Sequence, residues 1–251
     1  MPIFWYSLLV LIIVGTGFYF LLFFPNFQVN NITINGNQKI SSENLKNIVD
    51  QEVNKKPIGF AGWNLYSKSI FLVNTEELQK QILNTYSEIK IASVTKNLPQ
   101  DLAVNIEERK QFAIFCQNEK CFNIDEGGVI FENSSTTAQD TFIVRQNINL
   151  QDAFVGENVI EENIMRAISK IEKDLKGNFQ INLAEALIST PIRLDVKTGE
   201  GWQIYFNIDT DSDIGLQLTK LNLLLKDEIA SETRQKLEYV DLRFKDRAYY
   251  K

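Results

Sequence analysis

Apolar and polar residues change rhythm along this chain, and the first stretch has no rhythm at all. From Ile3 to Phe24 it reads IFWYSLLVLIIVGTGFYFLLFF, with no charged residue and no polar face. As a helix that run spans ~33 Å, against ~30 Å of bilayer hydrocarbon. Leu, Ile, Val and Phe each favour insertion by roughly 0.3 to 0.6 kcal/mol, and nothing charged opposes them. A core helix of a soluble domain would show a polar stripe toward water. The run therefore reads as a membrane segment, with Trp5 and Tyr6 near one interface. A cleaved signal peptide wants a basic start, an apolar core of about 7 to 15 residues and a small-residue cleavage site. Here only Met1 and Pro2 precede the run, and bulky Phe23, Phe24 and Phe27 flank its far end. An uncleaved anchor over residues 3–24 is expected, with residues 1–2 as a minimal tail. Charge does not orient it, because no Lys or Arg precedes it and the first one after it is Lys39.

From Phe27 the period becomes two. Phe27, Val29, Ile32 and Ile34 predict a half-buried strand ended by Asn35-Gly36-Asn37, with a bulge where the parity slips at Asn30-Asn31. Ser41 or Ser42 then caps a helix to about Val53, with Leu45, Ile48 and Val49 as its buried stripe. Lys55 to Gly62, bearing Gly and Pro, reads as a loop. A second helix starts at Asn74, placed to cap with Glu77 three residues on, and turns Leu78, Ile82 and Leu83 inward. Ile89, Ile91 and Val94, then Leu102, Val104 and Ile106, are two strands joined at Leu98-Pro99-Gln100-Asp101. Strand, helix, helix, strand, strand predicts a small antiparallel sheet with both helices on one face.

Beyond Glu108-Arg109 short strands dominate: Phe112 to Cys116, Cys121 to Ile124, Val129 to Phe131 and Phe142 to Val144, with Asp125-Glu126-Gly127-Gly128 as a turn and Ser134 to Asp140 as a polar loop. Ile160, Ile164, Ala167, Ile168, Ile171 and Leu175 recur at helical spacing, which predicts a helix from Asn158 to Lys176 ended by Gly177. Strands are expected at Phe179–Leu183, Ile192–Val196 and Trp202–Ile208, the last two joined at Gly199-Glu200-Gly201. A helix from about Asp213 to Lys226 would bury Ile214, Leu218, Leu221 and Leu225. The chain closes on strand-like, aromatic Tyr239 to Phe244 and Ala248 to Lys251.

Composition narrows the chemistry. The 251 residues carry a net charge of −6 with no Lys/Arg cluster, which argues against nucleic acid. There is no His, which removes Ser–His–Asp and Cys–His catalysis and imidazole metal sites. Two cysteines cannot form a four-cysteine zinc site. Glu107-Glu108 and Asp125-Glu126 are adjacent carboxylates, but neighbours on a strand point to opposite faces, so paired acid–base work is not indicated.

Several of these pieces together resemble the FtsQ/DivIB cell-division family. They are the N-terminal anchor; Phe27-x-Val29-x-x-Ile32-x-Ile34-x-Gly36-Asn37; Leu98-Pro99-x-x-Leu102-x-Val104-x-Ile106-x-Glu108-Arg109; Ala113 and Ile124-Asp125-x-x-Gly128-Val129-Ile130-Phe131; and Val240-Asp241-Leu242-Arg243-Phe244. Each is weak alone; their order and coverage of nearly the whole chain make the likeness specific. The resemblance implies an α+β chain: a single transmembrane helix, a small POTRA domain (β-α-α-β-β) over residues 27–109, then a mainly antiparallel β domain with helices over 110–251. It implies a scaffold with no catalysis and no cofactor, in the cytoplasmic membrane, N-terminus inside and both domains outside, at the division septum. It also implies FtsB/DivIC- and FtsL-type partners bound along the last strands. The chain departs from the pattern in its nearly absent cytoplasmic tail, in Tyr86-Ser87 where a Pro is common, and in stopping soon after Phe244.

The interaction residues on that reading are Tyr239, Val240, Asp241, Leu242, Arg243, Phe244, Ala248, Tyr249 and Tyr250. A strand at a sheet edge offers unpaired N–H and C=O groups, and Tyr and Phe are the anchors that interfaces favour. The alternative is that Tyr239 to Phe244 is an interior strand and the last aromatics only cover the core. Cys116 and Cys121 flank a four-residue turn and either form a disulfide, as an extracytoplasmic site would allow, or remain two free thiols. Asp209-Thr210-Asp211-Ser212-Asp213 opens like a calcium loop but has Ile214 and Lys220 at the positions that want Gly and Glu, so a helix cap is expected. Asn31-Ile32-Thr33 and Asn133-Ser134-Ser135 match the glycosylation triplet, which matters only in a glycosylating cell. Rival readings are a POTRA-bearing export or outer-membrane assembly component, which would normally carry a barrel whose alternating ten-residue strands do not appear in this sequence, and a membrane-tethered hydrolase, for which few routes remain without His.

Overall fold

The computed structural model describes residues 2–54, 57–60, 63–134, 141–148 and 152–251. The chain divides into two compact units, Met1–Arg109 and Lys110–Lys251, each with its own hydrophobic core.

In the first unit α1 (Pro2–Phe23) is the expected apolar helix, long enough to cross a membrane and almost wholly exposed. The strand expected from Phe27 starts later. Pro25 opens a single 3-10 turn, Pro25–Phe27, and the Val29 and Asn30 amides go to the carbonyls of Lys68 and Gln100. β1 therefore covers only Asn31–Asn35. α2 (Ser42–Asn54) buries Leu45, Val49 and Val53, while Ile48 packs half-buried. The loop expected over Lys55 to Gly62 contains a hairpin strand instead: β2 (Pro57–Phe60) pairs with β3 (Trp63–Tyr66). Pro57 sits at the strand's first residue, where its missing N–H disturbs the ladder least; residues 55, 56, 61 and 62 lie outside the described residues. α3 (Thr75–Thr85) is capped as expected, with Asn74 Oδ1 accepting from the Glu77 amide. Leu78 and Ile82 are buried, but Leu83 stands a hundred degrees round the helix from Ile82 and is exposed.

β4 (Ile89–Asn97) and β5 (Asp101–Glu108) form the expected hairpin. The sheet order is β1-β5-β4, with β1 parallel to β5. The small sheet is thus mixed, not antiparallel. The hairpin alone fixes β4 against β5, and the returning helices place β5 rather than β4 beside β1. Its alternation buries Leu102, Val104 and Ile106. Gly36 must be glycine here: its φ is +86°, and a Cβ would lie 2.0 Å from the Ile106 carbonyl oxygen.

In the second unit the strands among the described residues form one nine-stranded sheet. Its strands are β6 (Ala113–Gln117), β7 (Lys120–Ile124), β8 (Ile130–Asn133), β9 (Ile143–Gln146), β10 (Leu183–Thr190), β11 (Arg193–Thr198), β12 (Gln203–Asn207), β13 (Tyr239–Asp241) and β14 (Tyr249–Tyr250). The order is β14-β13-β12-β11-β10-β9-β6-β7-β8, with most neighbours antiparallel. Asp125 shapes the turn before β8 by accepting from the Gly127 and Val129 amides. Of the polar loop, residues 135–140 lie outside the described residues, which includes the last residue of the second glycosylation triplet.

α4 (Glu162–Phe179) carries the core stripe from Ile164 to Leu175. It begins later than expected because Asn158 bridges to Val129 and its side chain accepts from the Ile160 amide. It also runs through Gly177, since the left-handed residue that stops it is Gln180 (φ +57°), whose amide closes onto the Leu175 and Lys176 carbonyls. Phe179 is therefore helical, and the strand expected at Phe179–Leu183 begins at Leu183 and continues to Thr190. α5 (Ile214–Leu223) buries Leu218 and Leu221, with Ile214 only half-buried. It passes into a π turn, Leu224–Glu228, that carries buried Leu225. The short α6 (Ser231–Arg234), absent from the periodicity, leads to β13.

Candidate functional site

The residues singled out at the C-terminus meet at one end of the large sheet. Val240 and Leu242 are fully buried and Asp241 nearly so, because the chain enters the sheet beside the apolar rows of β12. β13 pairs parallel with β12 and antiparallel with β14. Tyr239 to Phe244 is therefore not the border strand; that place falls to β14, and the ladder of β13 ends at Asp241. Beyond it the Arg243 amide turns back onto Asp241 Oδ1 at 3.1 Å.

The backbone of β14 has one paired and one open side. Lys251 and Tyr239 exchange amide–carbonyl bonds, 3.1 Å in one direction and 3.4 Å in the other. The next pair along, Tyr250 with Val240, is then of the non-hydrogen-bonded kind, so the Tyr250 N–H and C=O point away from β13. Among the described residues no strand occupies that side. Phe244, Tyr249 and Tyr250 stand 46%, 46% and 48% exposed around it, with Phe244 edge-on to Tyr249 at 5.2 Å. Ala248 packs half-buried against the core.

A ladder of charge and aromatic rings supports this end. Arg243 holds Asp241 through Nε and Nη2, and Arg193 holds Asp195 at 2.7 Å. Both guanidiniums lie over the Tyr205 ring, at 4.7 Å for Arg193 and 5.6 Å for Arg243, and Tyr205 stacks on Tyr239. Burial pulls the Asp241 carboxyl up, but the Arg243 bonds and the charges of Arg243 and Arg193 outweigh it and hold the group below its ordinary value. Its bond to Asp241 raises Arg243 in turn.

Two supports were not legible as function in the sequence. Lys220 donates to the carbonyls of Leu242, Phe244 and Lys245, fixing the loop between β13 and β14. Burial, its largest influence, lowers its pKa against the charges of Asp246 and Asp241. Glu200 accepts from both Nε and Nη2 of Arg234 and from Trp202 Nε1, which ties the β11–β12 turn to α6 just before β13. Both pairings span more than twenty residues, and no local pattern announces them. Glu200 was visible only as part of a Gly-rich turn.

The remaining candidates fall elsewhere. Cys116 and Cys121 face each other in register across the β6–β7 hairpin and are bonded. Asp213 Oδ1 accepts from the Gly215 and Leu216 amides and caps α5, as expected of a helix cap. Asn31 of the first triplet lies in β1 and donates to Asp101. Among the described residues no three acidic or Cys side chains are grouped to hold a metal.

Comparison with known proteins gives this architecture its place. The family model described as "POTRA domain, FtsQ-type" matches residues 27–109, and that described as "Cell division protein FtsQ/DivIB, C-terminal" matches residues 113–243. The chain is similar to "Cell division protein DivIB" of Clostridium tetani, 23% identical over 227 residues, which is 88% of this chain and 78% of that protein. It is similar to the proteins of the same name from Clostridium acetobutylicum, 24% identical over 90% of this chain and 83% of the other, and Clostridium botulinum strain Hall, 25% over 88% and 80%. With its apolar N-terminal helix, its small mixed domain and its large terminal sheet, the chain belongs to the FtsQ/DivIB family of cell-division proteins.

Proposed function

We propose that this protein is a non-enzymatic divisome scaffold that takes a strand of a second polypeptide onto the open side of β14. The observation that carries this reading is the outward-facing backbone of Tyr250, flanked by three half-exposed rings. Strand addition draws affinity from main-chain bonds and selectivity from side-chain contacts; the open Tyr250 backbone offers the first and the rings of Phe244, Tyr249 and Tyr250 the second. The partner is of the FtsB/DivIC type, with an FtsL-type protein in the same assembly, and the complex controls septal wall synthesis. The anchor sits in the cytoplasmic membrane with the N-terminus inside and both domains outside, at the septum.

The test separates strand addition from folding. Set against Tyr250→Ala, which loses the same ring, Tyr250→Pro removes the outward donor while leaving the inward bonds of Tyr249 and Lys251. It should weaken co-purification with an FtsB/DivIC-type partner by about tenfold, the loss of one main-chain bond and its stranded acceptor, with the circular dichroism unchanged. Equal affinity would refute the docking mode. Truncation after Phe244 is a poorer test, because it also strips β13 of its neighbour. A fluorescent fusion of the full chain should gather at midcell.

A further inference from the structure

The end of α1 is built into the first unit rather than followed by a free tether. The last carbonyls of a helix lack partners within the helix. Here the Leu21 carbonyl accepts from Ser69 Oγ at 2.8 Å, and the Leu22 carbonyl accepts from Ser67 Oγ and, at 2.8 Å, from Gln28 Nε2. Both serines are buried. Gln28 Oε1 also receives the Lys68 amide. Alongside these bonds runs a file of rings, Phe20 to Phe24 at 5.5 Å, Phe24 to Phe27 at 6.2 Å and Phe27 to Phe71 at 5.4 Å. It starts on the apolar helix and ends on the 3-10 turn Ile70–Leu72 of the folded domain.

A second apolar projection stands at the same end of the domain. Two residues beyond Gln28, the Asn30 amide bonds the Gln100 carbonyl, and the β4–β5 turn presents Leu98 at 63% exposure. Phe71 is 44% exposed, Phe24 38% and Tyr66 70%. α1 just spans the hydrocarbon, so its C-terminal turn reaches the interface, and the residues clasping that turn lie at the same depth. Large apolar and aromatic side chains are stable there and poorly placed in water.

We propose that the first unit rests on the bilayer surface, with Phe24, Phe71 and Leu98 in the boundary between headgroups and acyl chains. The occupant of this apolar end is lipid, because the patch is continuous with the membrane helix itself. The anchor then sets the orientation of the domain as well as its distance from the membrane.

The full chain can test this, since its two cysteines are bonded to each other and a single introduced Cys will label selectively. Phe71→Cys, Leu98→Cys, Phe20→Cys and Glu107→Cys, each bearing an environment-sensitive fluorophore, are placed in vesicles of phosphatidylethanolamine and phosphatidylglycerol. Some of the lipid carries a nitroxide near the headgroup end of the acyl chain. Glu107 lies six residues along β5 from the membrane end, about 20 Å away. Labels at 71 and 98 should be blue-shifted and quenched severalfold more than the label at 107. If the label at 20 is quenched and those at 71 and 98 respond no more than that at 107, the docking is overturned. If the label at 20 is unquenched as well, the membrane reading falls with it. Leu98, on an exposed turn, gives the answer even if Phe71→Cys misfolds. Neither result depends on partner binding at β14, so this inference and the proposed function fail separately.

Discussion

Arg243 holds Asp241, two residues before it, at 2.9 Å through Nε and 2.6 Å through Nη2, at the point where β13 leaves the sheet. Arg243 lies over the Tyr205 ring, and the pair marks the end of β13. Asp241 has a folded pKa below its ordinary value of 3.8, so the stability it contributes is present above that value and lost as pH falls through the lower, folded one. Asp241→Asn should destabilise the detergent-solubilised chain by about 1.5–3 kcal/mol at neutral pH. The difference from the unaltered protein should shrink on acidification below about pH 4. Thermal unfolding from pH 7 to pH 2 measures it; a difference that stays constant would contradict the assignment.

Lys220 fixes the loop that β14 hangs from. Lys220→Met keeps the apolar stem but removes the donors to Leu242, Phe244 and Lys245. Hydrogen exchange at the amides of Tyr249 and Lys251 should quicken by about tenfold, with that of β10 and β11 unchanged. Partner binding should weaken in parallel, because an unfixed edge must be ordered on docking.

In the first unit Glu108 accepts the amides of Gln38, Lys39 and Ile40. Burial raises its pKa, but these bonds and the Lys39 charge prevail and lower it from 4.5. The clasp is complete above that value and is lost as pH falls through the folded one. Glu108→Gln should remove about 1 kcal/mol at neutral pH and nothing at pH 2. Exchange of the α2 amides, read at both pH values, distinguishes this from a general loss of stability.

The Cys116–Cys121 bridge closes a short loop, with a sequence separation of 5. Chain entropy then gives it about 2 kcal/mol at most. The Cys116→Ala, Cys121→Ala double variant should fold, with a lowered unfolding midpoint and unchanged partner binding. Alkylation of the untreated protein should modify neither sulfur.

The local elements with strong chemistry were legible in the chain. The uncharged run of α1, the Asn74 and Asp213 caps, the β4–β5 turn and the stripe from Ile164 to Leu175 each arise from neighbours within a few residues. Periodicity failed where local preference met a distant partner. Phe27 and Val29 alternate as a strand would, yet their backbone is taken up by a 3-10 turn and by Lys68. Gly177 is a natural helix stop, yet the helix continued to Phe179 because Gln180 closes it.

The sequence by itself determined what could be buried and where the chain could turn, because those properties follow from side-chain polarity and backbone freedom within one or two turns. Only the tertiary structure decided which strand is the border. Tyr239 to Phe244 and Tyr249 to Tyr250 are equally strand-like, and their ranks in the sheet follow from pairing of β13 with β12, beside which Glu200, in the β11–β12 turn, holds Arg234 of α6, thirty-four residues on and just before β13. Hydrogen-bond partners across such separations are chosen by the packed core as a whole, and no stretch of the chain records them.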